Sequence, residues 1–299
     1  MKVLITGACG FVGRQLCEAF LNRGDEIIAT DVHPQYAENK FEGLRYIQAD
    51  LTTPEIAQSL PWDDVDILYH LAAAGVKASA REWSLCMSVN VMATSYLLNA
   101  LMHRQQTGLR TPSIVYTKSY YEDSIHHMPA LRKNPYIATK AAATSMLECF
   151  AESYAKNICI AKVFQVFGAG DDPNNVLTYA AMEFKSGRTA TFGSGLSRRD
   201  WIYIDDFING LLACSQYSPE KLLRYDLGSK SLCSIRDAVL KIAELCQVGS
   251  ALAVFDSSRD RGDTELEESA TIHPPNWEPK FKLNEGIKKM ISLIKTDDL

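Results

Sequence analysis

The stretch Thr6-Gly7-Ala8-Cys9-Gly10-Phe11-Val12-Gly13 decides the fold. An apolar run, Lys2–Thr6, leads into it, and a run with apolar residues at helical spacing, Phe11–Arg23, leads out. Glycine has no Cβ, so three of them permit a tight turn and close approach of other atoms to the backbone. The helix that follows starts with unpaired amides facing the turn. Gly24 stands where a helix C-terminal cap belongs.

Outward from this turn the pattern repeats. Further strands are expected at Glu26–Asp31, Leu44–Asp50, Val65–Ala73, Ser113–Ser119 and Ile158–Val166. Several are almost continuous in Val, Ile and Leu, as strands covered on both faces should be. Helices are expected at Leu85–His103 and Pro135–Lys156. Strand and helix in alternation imply an α/β fold with a doubly wound parallel sheet. After Gly168 the sequence enters a polar loop, and the strands become shorter and fewer. The expected division is residues 1–168 as the sheet domain, with part of 200–229 returning to it. Residues 169–299 then form a smaller C-terminal α/β region for substrate.

Glycines at the head of a helix suit an anionic pyrophosphate, because the helix amides and dipole face it. Gly7, Gly10, Phe11, Val12 and Gly13 are the expected contacts. Asp31 ends the second strand, where a carboxylate accepts hydrogen bonds from ribose hydroxyls and repels a 2′-phosphate. The combination points to NAD rather than NADP. Asp50 ends the expected third strand and is a candidate for the adenine amino group.

Composition narrows the partners. The net charge is −5, with no basic stripe, which argues against nucleic acid. The eight cysteines form no Cys-x-x-Cys pair and are expected as free thiols. The first residues are too short an apolar run for a signal peptide, and no run of about 18 apolar residues exists. A soluble cytoplasmic protein without a membrane span is therefore expected. No His, Asp and Glu set has metal-ligand spacing.

Tyr136-Ile137-Ala138-Thr139-Lys140 sets a phenol and an ammonium four residues apart, on one helix face, just after Pro135. A phenol with a pKa near 10 is a weak base at neutral pH, and a neighbouring cation favours the phenolate. Such a pair suits proton exchange with a hydroxyl at a carbon that gives or takes hydride.

These motifs resemble the extended short-chain dehydrogenase/reductases, the NAD-dependent epimerase/dehydratase family, whose sheet domain is of Rossmann type. The resemblance is carried by the glycine turn, Asp31, Asp50-Leu51, His70-Leu71-Ala72-Ala73, Ser119, Tyr136-x-x-x-Lys140 and Arg199-Asp200-x-x-x-x-Asp205. Asn276-Trp277-Glu278-Pro279 and Glu285-Gly286-Ile287 extend it almost to the end. It implies Ser119, Tyr136 and Lys140 as catalytic residues. It implies Leu51, Leu71, Ala72, Ala73 and Val163 beside NAD, with Lys140 also on its ribose. It implies a nucleotide-diphosphate sugar as substrate, met by Ser119, Gln165, Asn175, Thr191 and Arg199. A second phosphate-binding arginine is Arg261, or Arg259, in Arg259-Asp260-Arg261-Gly262-Asp263. It also implies a homodimer joined by a four-helix bundle.

The departures are informative. Lys162 and Gln165 stand where the family usually has arginine and asparagine. Tyr120-Tyr121 follow Ser119, where the 4,6-dehydratases carry Asp-Glu, so elimination lacks its acid and base. The interval from Ser119 to Tyr136 is short for a common 4-epimerase. The expected reaction is epimerisation by transient oxidation at a sugar carbon, C4. The alternative is a reductase of 4-keto nucleotide-sugars, and a more remote one is a non-catalytic NAD-binding regulator. Tyr120 and Tyr121 are expected to pack or to stack on substrate. His126 and His127 are expected in a solvated loop.

Overall fold

The computed structural model describes residues 1–34, 43–154, 157–215, 222–260 and 266–294. The chain divides into two compact units. One comprises residues 1–162 with 211–225, and the other 163–210 with 226–299.

The first unit is built on seven strands: β1 (Lys2–Thr6), β2 (Glu26–Asp31), β3 (Leu44–Gln48), β4 (Ile67–His70), β5 (Ser113–Ser119), β6 (Ile158–Val163) and β10 (Leu222–Leu227). Their order is β10-β6-β5-β4-β1-β2-β3, and β1 pairs in parallel with both β2 and β4. The chain winds outward from β1 to β3, then returns to the other side of β1 at β4. The carboxyl ends of β1 and β4 flank this reversal, where a crevice for ligands is expected in such sheets. Thr6 and His70 are register partners there.

Helices α1 (Phe11–Asn22), α2 (Pro54–Ser59), α3 (Trp83–Cys86), α4 (Ala93–Gln106), α5 (Pro129–Arg132) and α6 (Pro135–Tyr154) complete this unit. Leu4, Ile28, Leu68, Ile114 and Tyr116 supply one buried face of the sheet, packed with Leu97 and Leu101 of α4 and Ala143 and Leu147 of α6. Phe20 of α1 meets Tyr69, ring centroids 5.4 Å apart. Both sheet faces are therefore covered, which explains the continuous apolar strands.

Three strand expectations need correction. β3 stops at Gln48, two residues before Asp50. β4 covers only Ile67–His70 of the expected Val65–Ala73. The expected Ile158–Val166 is two strands: β6, then β7 (Gln165–Phe167), which joins another sheet. The Phe164 amide between them turns to the Leu227 carbonyl. The helix expected at Leu85–His103 is longer and interrupted, since a π-helical turn, Met87–Met92, joins α3 to α4. Thr94 donates its hydroxyl to the Asn90 carbonyl within it, an alternative to the regular amide ladder. Trp83–Gln106 is long and apolar enough, by length and composition, to cross a membrane. Here Leu97, Leu98 and Leu101 are buried against the sheet.

The second unit holds a three-stranded sheet of β7, β9 (Arg198–Tyr203) and β11 (Leu232–Ser234), and a pair, β8 (Ala190–Phe192) with β12 (Ala253–Phe255). Helices α7 (Val176–Lys185), α8 (Ile204–Cys214), α9 (Ile235–Leu245) and α10 (Leu283–Leu293) pack around them; the end of α8 belongs to the first unit. Asp200 organises this unit. Its carboxylate accepts from the Ser229, Lys230 and Ala270 amides and from the Ser229 and Ser269 hydroxyls. Trp277 lies over Gly210, and Gly286 over Phe167 and Tyr203, so both glycines are close-packing positions.

Candidate active site

The glycine turn closes on itself. Gly7 adopts φ +70°, which favours glycine, and a Cβ there would come 2.7 Å from the Ala72 amide. A Cβ at Gly13 would come 2.1 Å from the Gly7 carbonyl oxygen. These glycines therefore let β1, the start of α1 and the segment after β4 approach to backbone contact. Gly10 precedes α1 and offers no side chain to cover its first amides. Asp31 accepts from the Cys9 amide at 2.9 Å on one oxygen and from the His33 amide at 3.1 Å on the other. It is thereby held at the rim of the turn, half-buried.

The expected cofactor residues Gly7, Gly10, Phe11, Val12, Gly13, Asp31, Leu71, Ala72 and Ala73 thus gather around the carboxyl ends of β1, β2 and β4. Asp50 sits apart from a strand end and caps its own turn, accepting from the Thr52 amide and hydroxyl. Leu51 beside it is buried. An anionic dinucleotide fits this cradle: close-set backbone, open helix amides and a fixed carboxylate for a ribose.

Beneath the turn lies a polar chain not anticipated from the sequence. The Ala72 amide donates to Thr6 Oγ1; because Thr94 spends its proton on the Asn90 carbonyl, His70 carries its own on Nε2, and the Thr6 hydroxyl donates to Nδ1 at 2.8 Å. His70 Nε2 then donates to Thr94 Oγ1 at 2.9 Å, and Thr94 to the Asn90 carbonyl. This network sets the histidine tautomer. Burial, aided by the Lys140 charge, pushes the His70 pKa down to about 3, so the ring is neutral. The Asn90 amide side chain brackets the Ala74 backbone and donates to Thr139 Oγ1. It ties the segment after β4 to α6.

Ser119, Tyr136 and Lys140 are brought together. Ser119 ends β5, and its hydroxyl is near enough to the Tyr136 phenol to lower the phenol's pKa. Lys140, one turn along α6, is buried and donates to the Thr117 carbonyl at 2.6 Å. Its ammonium lies 3.8 Å from the centroid of the Tyr116 ring. Burial lowers the Lys140 pKa to about 8, an effect that the Glu122 charge opposes. Burial raises the Tyr136 phenol, and Glu122 raises it further, while Arg81 and the Ser119 hydroxyl lower it. Gly75, at φ +88°, lies under the tyrosine: a Cβ there would come 3.0 Å from Tyr136 Cβ and 2.6 Å from Cys86 Sγ. Arg81 donates to the Gly75 and Val76 carbonyls.

Other expected residues are distributed differently. Tyr120 and Tyr121 pack on each other, centroids 4.1 Å apart. His126 and His127 are exposed. Val163 ends β6, and Gln165 opens β7 opposite Trp201. Asn175 precedes α7, is exposed, and donates to Asp171. Thr191 pairs with Val254 between β8 and β12. Arg199 is buried, with Nη1 on the Arg198 and Leu266 carbonyls. Arg259 is exposed and pairs with Asp256, and Arg261 lies outside the described residues. Lys162 pairs with Asp123, which also binds Lys118. Among the described residues no cluster could hold a metal ion.

Glu122 and Arg81 were missed from sequence. Ser119-x-x-Glu122 is the pattern of a capping box and could have been read as one. For Arg81 no local signal exists.

The chain is similar to known proteins. The chain is 25% identical over 316 residues to UDP-glucuronate 4-epimerase of Thermodesulfobacterium geofontis, covering 97% of this chain and 94% of that protein. It is 23% identical to UDP-glucuronic acid decarboxylase 1 of Arabidopsis thaliana, covering 98% and 69%. The UDP-glucose 4-epimerase of Thermus thermophilus, solved in complex with NAD, superposes with a TM-score of 0.76 at 25% identity, covering 98% of each chain. The model of the NAD dependent epimerase/dehydratase family matches residues 3–228, and the chain belongs to that family.

Proposed function

We propose that this protein is an NAD-dependent epimerase of UDP-linked sugars, inverting C4 by transient oxidation. The observation that carries this reading is the Ser119, Tyr136 and Lys140 constellation beside a glycine cradle. NAD, when bound, supplies reversible hydride acceptance at the sugar carbon. Gly7, Gly10, Phe11, Val12 and Gly13 would hold its pyrophosphate, Asp31 its adenosine ribose, and Leu51, Leu71, Ala72, Ala73 and Val163 its remaining surface.

The chain's own groups move the proton. Tyr136 takes the proton of the C4 hydroxyl and returns it after the sugar has presented its other face. Ser119 donates a hydrogen bond to the same oxygen. Lys140 keeps a positive charge behind the phenol and favours its ionised form. The Tyr120-Tyr121 pair stands where elimination would need an acid and a base, which favours epimerisation over dehydration. In the second unit, Gln165, Asn175, Thr191 and Arg199 are assigned to the nucleotide diphosphate, Arg199 by its charge.

We assign the functional form as a homodimer. Trp83, Leu85, Met87 and Met92 expose apolar surface along the α3–α4 segment, next to α6. The eight cysteines are free, which suits the cytoplasm.

The test is incubation of purified protein with UDP-glucose and UDP-glucuronate, without added cofactor, followed by NMR of the sugar. Inversion at C4, with NAD released from denatured protein at one per chain, is expected. Protein that arrives empty and oxidises added NADH only with a 4-keto nucleotide-sugar would overturn the epimerase in favour of the reductase.

A further inference from the structure

Glu122 is a buried carboxylate at the centre of the first unit, 5% exposed, and the chemistry above does not use it. One oxygen accepts from the Ser119 amide at 2.6 Å, and the other accepts from the Thr144 hydroxyl on α6 at 2.6 Å. Ser119 Oγ in turn accepts from the Tyr121 amide at 3.4 Å, which closes a capping box around the single turn after β5. The carboxylate therefore ties the end of the strand that bears Ser119 to the helix that bears Tyr136 and Lys140.

We propose that Glu122 is a positioning residue of the active site: it ties Ser119 to the helix that bears Tyr136 and lays a fixed negative charge behind the Tyr136–Lys140 pair. The proposal rests on the reading of Ser119, Tyr136 and Lys140 as the reacting groups. Its geometric half is the strap between β5 and α6. Its electrostatic half follows from what faces the carboxylate. From β5 come Lys118 and the buried Tyr116 phenol, and from α6 come Tyr136 and Lys140. On its own turn Asp123 follows, bridged to Lys118 and to Lys162 of β6. Arg81 acts on Tyr136 with the opposite sign. Burial raises the Glu122 carboxyl, and Lys140, Thr144, the Ser119 amide and Lys118 pull it back. A negative Glu122 makes both Tyr136 and Lys140 hold their protons more tightly.

Two variants separate the halves. Glu122→Gln keeps an oxygen for the Ser119 amide but removes the charge. Both catalytic groups then lose protons more easily, and the pH–kcat profile moves to acid by about one unit. KM for the UDP-sugar is unchanged. Glu122→Ala loses the strap as well, and kcat falls about 100-fold, the cost of displacing a reacting group by about 1 Å. Thermal melts of both proteins with NAD bound check that they are folded. An unmoved pH profile in Glu122→Gln overturns the electrostatic half, and an unchanged kcat in folded Glu122→Ala overturns the strap.

A readout independent of substrate keeps this distinct from the epimerase reading. With 3,5-difluorotyrosine placed at position 136 of the NAD-bound protein, the phenol's ultraviolet titration should have a lower midpoint when Glu122→Gln is present. An equal midpoint sinks the charge proposal even if C4 inversion is confirmed, and a lowered one supports it even if no UDP-sugar is turned over.

Discussion

The Lys140 ammonium donates to the Thr117 carbonyl at 2.6 Å, and that bond joins α6 to the end of β5 that carries Ser119. The ammonium also lies over the Tyr116 ring, so the cation is held by one carbonyl and one aromatic face. Among the described residues no carboxylate forms an ion pair with it. It is a charge fixed near the phenol rather than neutralised, and burial alone makes its proton easier to lose.

An alkaline decline in activity follows. The Lys140 pKa, at about 8, lies below its ordinary value of 10.5. In the free enzyme the ammonium is lost as pH rises through about 8, so kcat/KM should fall above that point. Lys140→Met should be slower by about 10²–10⁴-fold at pH 7 and should show no such decline. A decline persisting unchanged in Lys140→Met would show that another group titrates.

Tyr136→Phe removes the hydroxyl assigned to proton exchange and keeps the ring. Turnover of a UDP-sugar should drop by about 10²–10⁴-fold while NAD stays bound. Equilibrium dialysis against NAD, set beside the rate, checks this. Retained turnover in the phenylalanine variant would remove the tyrosine from the mechanism.

Asp31→Asn should weaken NAD binding by about tenfold, because a charged acceptor for ribose hydroxyls becomes neutral. The penalty against NADP should shrink in the same variant, since repulsion of the 2′-phosphate is gone. Fluorescence titration with both dinucleotides measures the ratio. An unchanged NAD-to-NADP ratio would assign cofactor choice elsewhere.

Gly13→Ala should lower the unfolding free energy by more than about 2 kcal/mol and abolish NAD binding, because its Cβ would lie 2.1 Å from the Gly7 carbonyl oxygen. Urea titration monitors it. A near-neutral result would mean that the turn is looser than described.

His70 makes stability depend on acid. Its folded pKa, at about 3, is below its ordinary value of 6.5, so the unfolded chain binds the extra proton between those values. Its contribution is complete above about pH 6.5 and is lost as pH falls towards about 3. Within that window it adds a slope of about 1.4 kcal/mol per pH unit. His70→Gln should show a correspondingly flatter stability profile from pH 6 to pH 4. Equal slopes would place the titrating group elsewhere.

The sequence by itself determined most of the sheet and much of the cradle. Lys2–Thr6, Glu26–Asp31 and Ser113–Ser119 are strands with the bounds expected, and Gly24 sits at φ +76° after α1. These features are local: apolar runs, glycine's freedom and i,i+4 spacing act within a few residues, so they are legible in one dimension. Tyr136 and Lys140 belong to the same class, since one helical turn brings them to a shared face.

Only the tertiary structure decided the rest. Asp50 turned out to cap its own turn, and Ile158–Val166 broke at Phe164, because strand length depends on which neighbours pair with it. The contact of Ser119 with Tyr136 joins β5 to α6. So does the double grip of Glu122. The cation of Arg81 near the phenol depends on Gly75 allowing the loop to lie against the tyrosine. Such contacts join residues that chain folding brings together from separate elements, and burial then sets the protonation of the groups enclosed. No local pattern reports either effect, which is why Tyr136 and Lys140 could be placed on one face from sequence while the contacts of Glu122 and Arg81 could not.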